Sequence, residues 1–528
     1  MALELKKVNI RANRLGEAVN SQALVEGEIA LEGGAEAIAR MLCISGRLVV
    51  GGVEALQDKV NMEGSVVFSL LYVGEQSGQV EGLEAACGFT HSVELAGLKA
   101  GGQVLVSGSV QDVQSEVVDG TVVRVRAIAE LNCQPQTQQT YAVVSAVEGL
   151  PGLEVKQEQL TPGWILGTAN ETTTLRDEVT LPSRNLPIGK LLKSWGDASV
   201  TEITAMAGAV RMRGDVQLSL LYRCQDPAEP LQEAAMTLPF EYDLALPDSF
   251  MGLQTEGRAD VQDLKVTAQF DEDGEMRVLQ VECLLQMRAN VWATQDLEVL
   301  QDAYAPNQEL EVSEQQITLS RPAVEQQATQ LLKESLPLPE GMPNIGRISF
   351  LQATPCITDW AVTDQGLEVQ GILTCGVLYE SDQEEGGIEG FNSETPFSIE
   401  LTLPERLEGE VDVSAAVDQS FGTVLSPTEM EGRFTLRFTV ASYPETQVGA
   451  VDNIVHQGPS SQQGSGIVVA FVRTGDTLWS IARRYGVSLQ SVLKLNPQLD
   501  PENLQPGDRV LLYRQFEPTA PTASDTAR

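Results

Sequence analysis

Short apolar runs, either alternating with polar residues or rich in β-branched residues, fill most of this chain. Turn sequences such as Asp119-Gly120, Asp273-Gly274 and Gln365-Gly366 separate them, as expected between neighbouring antiparallel strands. The runs lie at 66–72, 104–110, 121–131, 216–222, 264–269, 277–287, 367–379 and 433–441. Several short strands at this spacing predict β-sandwich-like domains.

Three landmarks recur in register and indicate a long internal repeat. An isoleucine begins a short Ile-x-Lys/Arg sequence, a tyrosine ends an apolar strand, and a phenylalanine opens another strand. The members are Ile38, Ile188 and Ile345, then Tyr72, Tyr222 and Tyr379, then Phe89, Phe240 and Phe397. The first two landmarks repeat after 150 and then 157 residues, and the third after 151 and 157. A repeat of this length can hold its own core, so the pattern predicts three duplicated domains. The tyrosine is interpreted as a half-buried strand residue with its hydroxyl at the edge.

The repeats and the composition shifts between them predict the domain bounds. Repeat 1 is placed at 25–135, repeat 2 at 172–302 and repeat 3 at 331–447. Polar stretches at 134–139 and 306–330 are interpreted as separators, and 456–466 as a flexible linker. A small domain is placed at 467–514, and the Pro-, Thr- and Ala-rich tail 515–528 is expected to be disordered.

The small C-terminal domain has its elements marked by helix caps and turns. An apolar run at 468–472 precedes Asp476 and Thr477, either of which can cap a helix that Gly486 ends. Ser488 can cap a second helix, and a Pro-Gly-Asp turn leads to a closing strand at 509–513. The predicted order is strand, helix, helix, strand.

This pattern resembles the LysM domain over its whole length. The matching sequences are GDTLW at 475–479, YGV at 485–487, LNP at 495–497 and LQPGDR at 504–509. The resemblance implies a groove for N-acetylglucosamine-containing glycans between the loop before the first helix and the loop after the second. The implied binding residues are Gly475, Asp476, Thr477, Leu478, Asn496, Pro497, Gln498 and Leu499. Most of the matching residues are also core or turn residues that any LysM fold needs, so the groove is open to two interpretations: it holds sugar, or it holds protein.

The repeats resemble the SPOCS domain of sporulation proteins. The second copy carries Leu181-Pro182, Ile188-Gly189-Lys190, Leu221-Tyr222 and Pro239-Phe240, and the third repeats these elements. The first copy departs, with Leu31-Glu32 and Gly88-Phe89 in the corresponding places. Tandem SPOCS domains before one LysM domain resemble the SipL-type family of clostridial spore coat morphogenetic proteins. The fold expected is therefore mainly β: three tandem β-sandwich-like SPOCS repeats followed by a small βααβ LysM domain.

Charge and cysteine usage restrict the partners and the compartment. The formal net charge is −39, which disfavours nucleic acid and anionic lipid as partners. The segment 466–514 differs, with six Lys and Arg against four Asp and Glu. The first residues contain no signal-peptide core, and no apolar stretch is long enough to span a membrane. Seven scattered cysteines without a CxxC pair indicate neither a disulfide framework nor a zinc site. A reducing cytosol is the compartment expected.

No catalytic, metal or cofactor site is predicted. Cys87 and His91 would share one face of a strand, and are interpreted as a packed thiol and a surface imidazole. His456 lies beside the predicted linker, where a catalytic geometry would lack support. A glycosidase pair of carboxylates needs only closeness in space, so the sequence leaves it open.

Three functions follow from these observations. The first is a non-enzymatic structural adaptor in spore coat and envelope assembly, with the repeats as protein-binding surfaces and the tethered LysM domain as a docking head. The family resemblance implies a location in the mother-cell cytoplasm, at the forespore surface. The partners it implies are a coat morphogenetic ATPase of the stage IV sporulation protein A type and other coat proteins. The second is a peptidoglycan or N-acetylglucosamine binder of the cortex or wall, and the third is a wall hydrolase.

Overall fold

The computed structural model describes residues 3–31, 35–224, 231–383, 387–460, 466–501 and 503–514. Within these ranges the chain is mainly β, with two short helices near the C-terminus. The predicted disordered tail at 515–528 lies outside the described residues.

Repeat 1 is a sandwich of two antiparallel sheets. Its strands are β1 (Glu4–Leu15), β2 (Val19–Ala30), β3 (Ile38–Leu56), β4 (Lys59–Gly74), β5 (Val80–Glu94), β6 (Gln103–Val117) and β7 (Val122–Glu148). The sheet β3-β4-β5 faces a sheet in which β7 pairs with β2 and β6. The alternating residues of β4 and β7 meet between the sheets, where Val66, Phe68, Val123 and Val125 are buried. The predicted sandwich is confirmed.

Repeats 2 and 3 have the same topology. Repeat 2 consists of β8 (Glu154–Leu160), β9 (Gly163–Thr180), β10 (Ile188–Met206), β11 (Ala209–Cys224), β12 (Leu231–Ala245), β13 (Gln254–Phe270), β14 (Met276–Thr294) and β15 (Leu297–Tyr304). Repeat 3 consists of β16 (Gln308–Ser320), β17 (Val324–Pro337), β18 (Ile345–Thr363), β19 (Gly366–Ser381), β20 (Ile388–Thr402), β21 (Glu410–Ser426), β22 (Glu429–Tyr443) and β23 (Glu445–Pro459). Sheets β10-β11-β12 and β13-β14-β9 form one sandwich, and β18-β19-β20 and β17-β22-β21 form the other.

Each repeat also contributes a two-stranded ribbon outside its sandwich. The ribbons are β1 with the end of β7, β8 with β15, and β16 with β23. They pack against one another around shared apolar residues, among them Ile10, Val299 and Ile317. The segments interpreted as separators are therefore strands: 134–139 lies inside β7, and 306–330 contains β16. Their polar side chains belong to strand faces that stay partly exposed.

The prediction of a flexible linker at 456–466 is wrong for its first residues, which belong to a strand. Strand β23 continues to Pro459, and the His456 Nε2 atom lies 2.8 Å from the Gln308 Oε1 atom of the paired strand. The composition is that of a tether, but the backbone of this stretch pairs with β16. Residues 461–465 lie outside the described part.

The three sandwiches close into a ring. Strand β5 of repeat 1 packs against β10 of repeat 2, β12 of repeat 2 against β18 of repeat 3, and β20 of repeat 3 against β3 of repeat 1. A shared apolar cluster joins all three repeats and includes Leu42, Leu221 and Phe350. Between repeats 3 and 1, the Asn392 amide accepts from Ile44 N at 3.0 Å and donates to Ile44 O at 2.8 Å.

The landmark tyrosines are fully buried, which corrects their interpretation as half-buried. Tyr222 and Tyr379 are 0% exposed and Tyr72 is 2% exposed. The Tyr222 hydroxyl donates to Leu186 O at 3.0 Å, and the Tyr379 hydroxyl donates to Pro343 O at 2.8 Å. A backbone carbonyl therefore replaces the water that an edge position would have offered.

The LysM domain has the predicted element order. Its elements are β24 (Gly466–Phe471), α1 (Leu478–Tyr485), α2 (Leu489–Leu495) and β25 (Arg509–Arg514), with β24 and β25 antiparallel. Thr477 caps α1 in a reciprocal pair with Ser480, and Gly486 ends α1 at a φ of 62°. Ser488 caps α2. The helices cover one face of the two-stranded sheet through Ile481, Val492 and Val510, which are all 0% exposed.

Candidate functional site

In the first loop of the predicted groove, 475–478, most residues stabilise the loop itself. Gly475 has a φ of 83°, which suits glycine. The Asp476 carboxylate accepts from Arg473 N at 3.1 Å and from the Arg484 guanidinium, and the bond from Arg484 lowers the pKa of this carboxyl. Leu478 is only 4% exposed. Gly475 and Thr477 are the exposed members.

The second loop, 496–499, likewise contains both a buried structural residue and exposed residues. Asn496 is 2% exposed, and its amide donates to Val492 O at 2.7 Å and Leu511 O at 2.8 Å. Its carbonyl oxygen accepts from Leu511 N at 2.7 Å. Pro497 and Gln498 are exposed, and Leu499 is partly buried. Asn496 is therefore a structural residue that ties α2 to β25, whereas its two neighbours are open to a ligand.

The core of the domain holds the two loops beside each other. Leu478 from the first loop and Leu499 from the second belong to the same apolar cluster. The exposed polar side chains there are Thr477, whose hydroxyl accepts the capping bond from Ser480 N at 3.1 Å, and Gln498 with its amide. Such a surface can hydrogen-bond a neutral polar ligand, but it presents no free acid or base for catalysis.

The LysM domain packs directly against repeat 2, so it does not stand apart as the tethered docking head that the sequence suggests. The Trp479 indole Nε1 donates to Asp302 Oδ2 at 2.7 Å, and Arg483 Nη1 donates to the same oxygen at 2.8 Å. The Tyr304 hydroxyl donates to Val487 O at 3.0 Å, and its ring meets the Trp479 ring edge-on at 4.9 Å between centroids. Sequence reasoning missed Asp302 and Tyr304, which carry no LysM signature.

A single lysine lies buried where the three repeats meet. Lys193 of repeat 2 donates to Ser45 Oγ of repeat 1 at 2.6 Å and to Gln352 Oε1 of repeat 3 at 2.5 Å. Burial lowers the pKa of Lys193 to about 8, and burial raises the pKa of the nearby Cys43 thiol to about 11. The small cavity beside it is lined by residues of all three repeats, so this group bonds the repeats to one another.

The remaining candidates for catalysis are structural. Cys87 and His91 lie on one face of β5, as predicted, and the His91 Nε2 atom lies 2.8 Å from Ser21 Oγ. Burial raises the pKa of the Cys87 thiol, which disfavours the thiolate that a nucleophile needs. All seven cysteines are free thiols. Across the described ranges, no group of His, Cys, Asp and Glu is arranged to hold a metal ion.

Comparison with known families assigns both parts of the chain. The LysM domain profile matches residues 472–512. The profile described as SipL, SPOCS domain matches three times, at 37–118, 187–269 and 344–421. The chain carries three SipL SPOCS domains and one C-terminal LysM domain, which matches a SipL-type protein. The three matches fall on the three sandwiches and include the first copy, whose sequence departs most from the repeat pattern.

These domains place the chain in a functional class. SPOCS and LysM domains are binding and structural modules, no catalytic domain is matched, and their combination indicates a sporulation coat-type protein with a peptidoglycan-binding module. No curated protein and no solved structure matches the chain. Among the described residues, no helix has both the length and the apolar character needed to cross a membrane.

Proposed function

We propose that this chain is a non-enzymatic structural adaptor that docks coat proteins at the forespore surface. The observation that carries the proposal is the closed ring of three SPOCS repeats with the LysM domain packed on it. The ring buries the surfaces that the repeats share and leaves their outer faces available. Several binding surfaces on one body bind together more tightly than any one alone, because the first contact raises the effective concentration of the others.

The LysM groove is the proposed contact for a coat morphogenetic ATPase of the stage IV sporulation protein A type. Thr477, Pro497 and Gln498 are its exposed side chains. The domain carries a small excess of Lys and Arg, in contrast to the net charge of −39 of the whole chain. This difference directs an acidic partner surface toward the LysM domain and away from the repeats. The proposed location is the mother-cell cytoplasm at the forespore surface.

Binding of the purified ATPase to the full-length chain tests this function. Gln498→Glu places a negative charge at the exposed side of the groove, which repels an acidic partner surface, and it is expected to weaken binding at least tenfold. Gln490→Glu is the matched control, because Gln490 is exposed on α2 outside the groove loops. Equal binding by the two variants would remove this side of the groove from the interface, and no binding by the unmodified chain would remove the ATPase as a partner.

A second function, binding of N-acetylglucosamine glycans, is favoured by the neutral hydrogen-bonding character of the exposed loops. Calorimetry of the full-length chain with chitin oligomers and peptidoglycan fragments tests it. Heat that disappears in Gln498→Arg but persists in Gln490→Arg would support a glycan groove. The absence of heat with every glycan would leave the protein partner as the ligand of this surface.

A further inference from the structure

The three ribbons are equivalent to one another, which allows their residues to be compared position by position. Each ribbon has a bulge at which the strand pairing skips a residue: Ser145 in β7, Gln301 in β15 and Asp452 in β23; β23 has a second bulge, at Gln457. The residues before these three are apolar and buried in every copy. The shared bulge sets the alignment of the residues that follow it.

At the two positions that meet the LysM domain, the copies differ. One residue past the bulge stand Ala146, Asp302 and Asn453, and three residues past it stand Glu148, Tyr304 and Val455. Only repeat 2 therefore combines a carboxylate with an aromatic ring. Tyr304 is 5% exposed, whereas Val455 at the equivalent position is 43% exposed, because the LysM domain covers repeat 2 and not repeat 3.

Both residues of this combination, Asp302 and Tyr304, contact the LysM domain. The Asp302 side chain, 11% exposed, receives two hydrogen bonds on one oxygen, from Trp479 and Arg483, and one on the other from Ala303 N at 2.8 Å. Hydrogen bonds to a charged acceptor in a partly buried site are the stronger kind. The Tyr304 ring belongs to the apolar cluster of the LysM domain itself.

The other ribbons lack these interactions for chemical reasons. Alanine at 146 has no acceptor for the Trp479 indole, and the neutral amide at 453 cannot form an ion pair with Arg483. Neither Glu148 nor Val455 provides an aromatic ring for Trp479 to meet. At Ala146 the LysM surface would lose both its polar and its aromatic partner, and at Asn453 it would keep an acceptor for the indole but lose the ion pair and the aromatic ring.

We propose that Asp302 and Tyr304 form a selective docking site for the chain's own LysM domain. This site holds the domain on repeat 2 in preference to the two equivalent ribbons. It covers Trp479 on α1, contacts the partly exposed Arg483 and leaves the exposed groove residues open, so the groove is presented in a set orientation on the ring. The site acts within the chain and is independent of what the groove binds.

Fluorine NMR of the full-length chain labelled with 5-fluorotryptophan tests the proposal. The chain has five tryptophans, and Trp479→Phe assigns the relevant signal. The Trp479 signal is expected to show a small H2O/D2O shift in the unmodified chain and a shift near that of a solvated indole in Asp302→Ala. Asn453→Ala, the same change at the equivalent position of repeat 3, is expected to leave the signal unchanged.

Small-angle scattering provides a second readout that does not depend on tryptophan. Asp302→Ala combined with Tyr304→Ala is expected to increase the radius of gyration, whereas Asn453→Ala with Val455→Ala is not. Unchanged far-UV circular dichroism confirms that the variants fold, and Asp302→Asn, which keeps an acceptor, is expected to be intermediate. A solvated Trp479 in the unmodified chain, or equal behaviour of the two pairs, would overturn the proposal.

Discussion

Phe240 lies directly across the sheet from Gly214, and its ring occupies the space that a side chain at 214 would need. A Cβ atom at this glycine would lie 2.6 Å from Phe240 Cζ and 2.1 Å from Ser199 O. The same glycine–phenylalanine pair occurs at Gly64 and Phe89 and at Gly371 and Phe397. The repeating phenylalanine therefore covers a glycine in the central strand of the sheets β3-β4-β5, β10-β11-β12 and β18-β19-β20.

Gly214→Ala is expected to destabilise repeat 2. The added methyl group meets a backbone oxygen that cannot move without breaking a strand pair, and overpacking of this kind costs about 1–3 kcal/mol. Urea denaturation of the full-length chain measures the loss. Gly88→Ala is the control, since the nearest atom to its Cβ would be 3.7 Å away; comparable losses for both would refute the steric explanation.

Glu81→Gln is expected to weaken the contact between repeats 1 and 2. The Glu81 side chain is 6% exposed and accepts from Arg223 of repeat 2 at 3.3 Å and from Lys190. Hydrogen bonds to charged groups contribute about 1.5–3 kcal/mol. We expect a loss near the lower end of that range in the free energy of unfolding, because Lys190 is half exposed.

A surface ion pair provides the comparison for Glu81. Glu116 is 72% exposed and lies 3.2 Å from Arg124, and Glu116→Gln is expected to cost less than about 0.5 kcal/mol, since exposed pairs contribute little. Thermal unfolding of the two variants separates them. Identical melting temperatures would mean that the ring does not depend on the Glu81 contact.

Much of the fold is predictable from the sequence because sandwich strands carry a strong alternating pattern. The alternation on β4 and β11 leads directly to the buried positions Val66 and Val216. The ribbon strands are harder to predict, because their sequence does not show so clear an alternating pattern. At 134–139 the strand passes from a sandwich into a ribbon, and its glutamines and threonine give it the composition of a loop.

The candidate site is predictable only in part, for a related reason. Thr477 and Gly486 mark the ends of α1 through local backbone requirements, so the sequence indicates them. The bond from Trp479 to Asp302 joins residues 177 positions apart. Such a contact depends on how folded surfaces meet, and no local pattern encodes it. The LysM resemblance places Asn496 in the groove, whereas its hydrogen bonds face inward.

Lys193→Met is expected to change how stability depends on pH. The folded state holds the pKa of Lys193 at about 8, below its ordinary value of 10.5. Between these values the unfolded chain binds more protons, so this group makes the folded state more stable as the pH rises. The unmodified chain should therefore gain stability relative to Lys193→Met between pH 7 and pH 9.5.

Urea denaturation of both proteins at the two pH values measures this gain. Cys43, whose thiol pKa is raised to about 11, acts in the opposite direction above its ordinary value of 9.0 but is present in both proteins. Lys265→Met, at an exposed position of β13, is the control. Its free energy of unfolding should differ from that of the unmodified chain by the same amount at both pH values. A difference for Lys193→Met that does not change with pH would contradict the buried charge.

Asn496→Ala is expected to open the LysM domain rather than remove a ligand contact. The change leaves Val492 O, Leu511 O and Leu511 N without their partner, and each buried group left unpaired costs about 1–3 kcal/mol. Hydrogen exchange of the full-length chain should show faster exchange in β25, while Gln498→Ala, at an exposed position, should leave it unchanged. If both changes open β25 equally, the division of the groove into structural and binding residues is wrong. If only Asn496→Ala does so, weaker binding by that variant reports the fold, and contact has to be judged from Gln498.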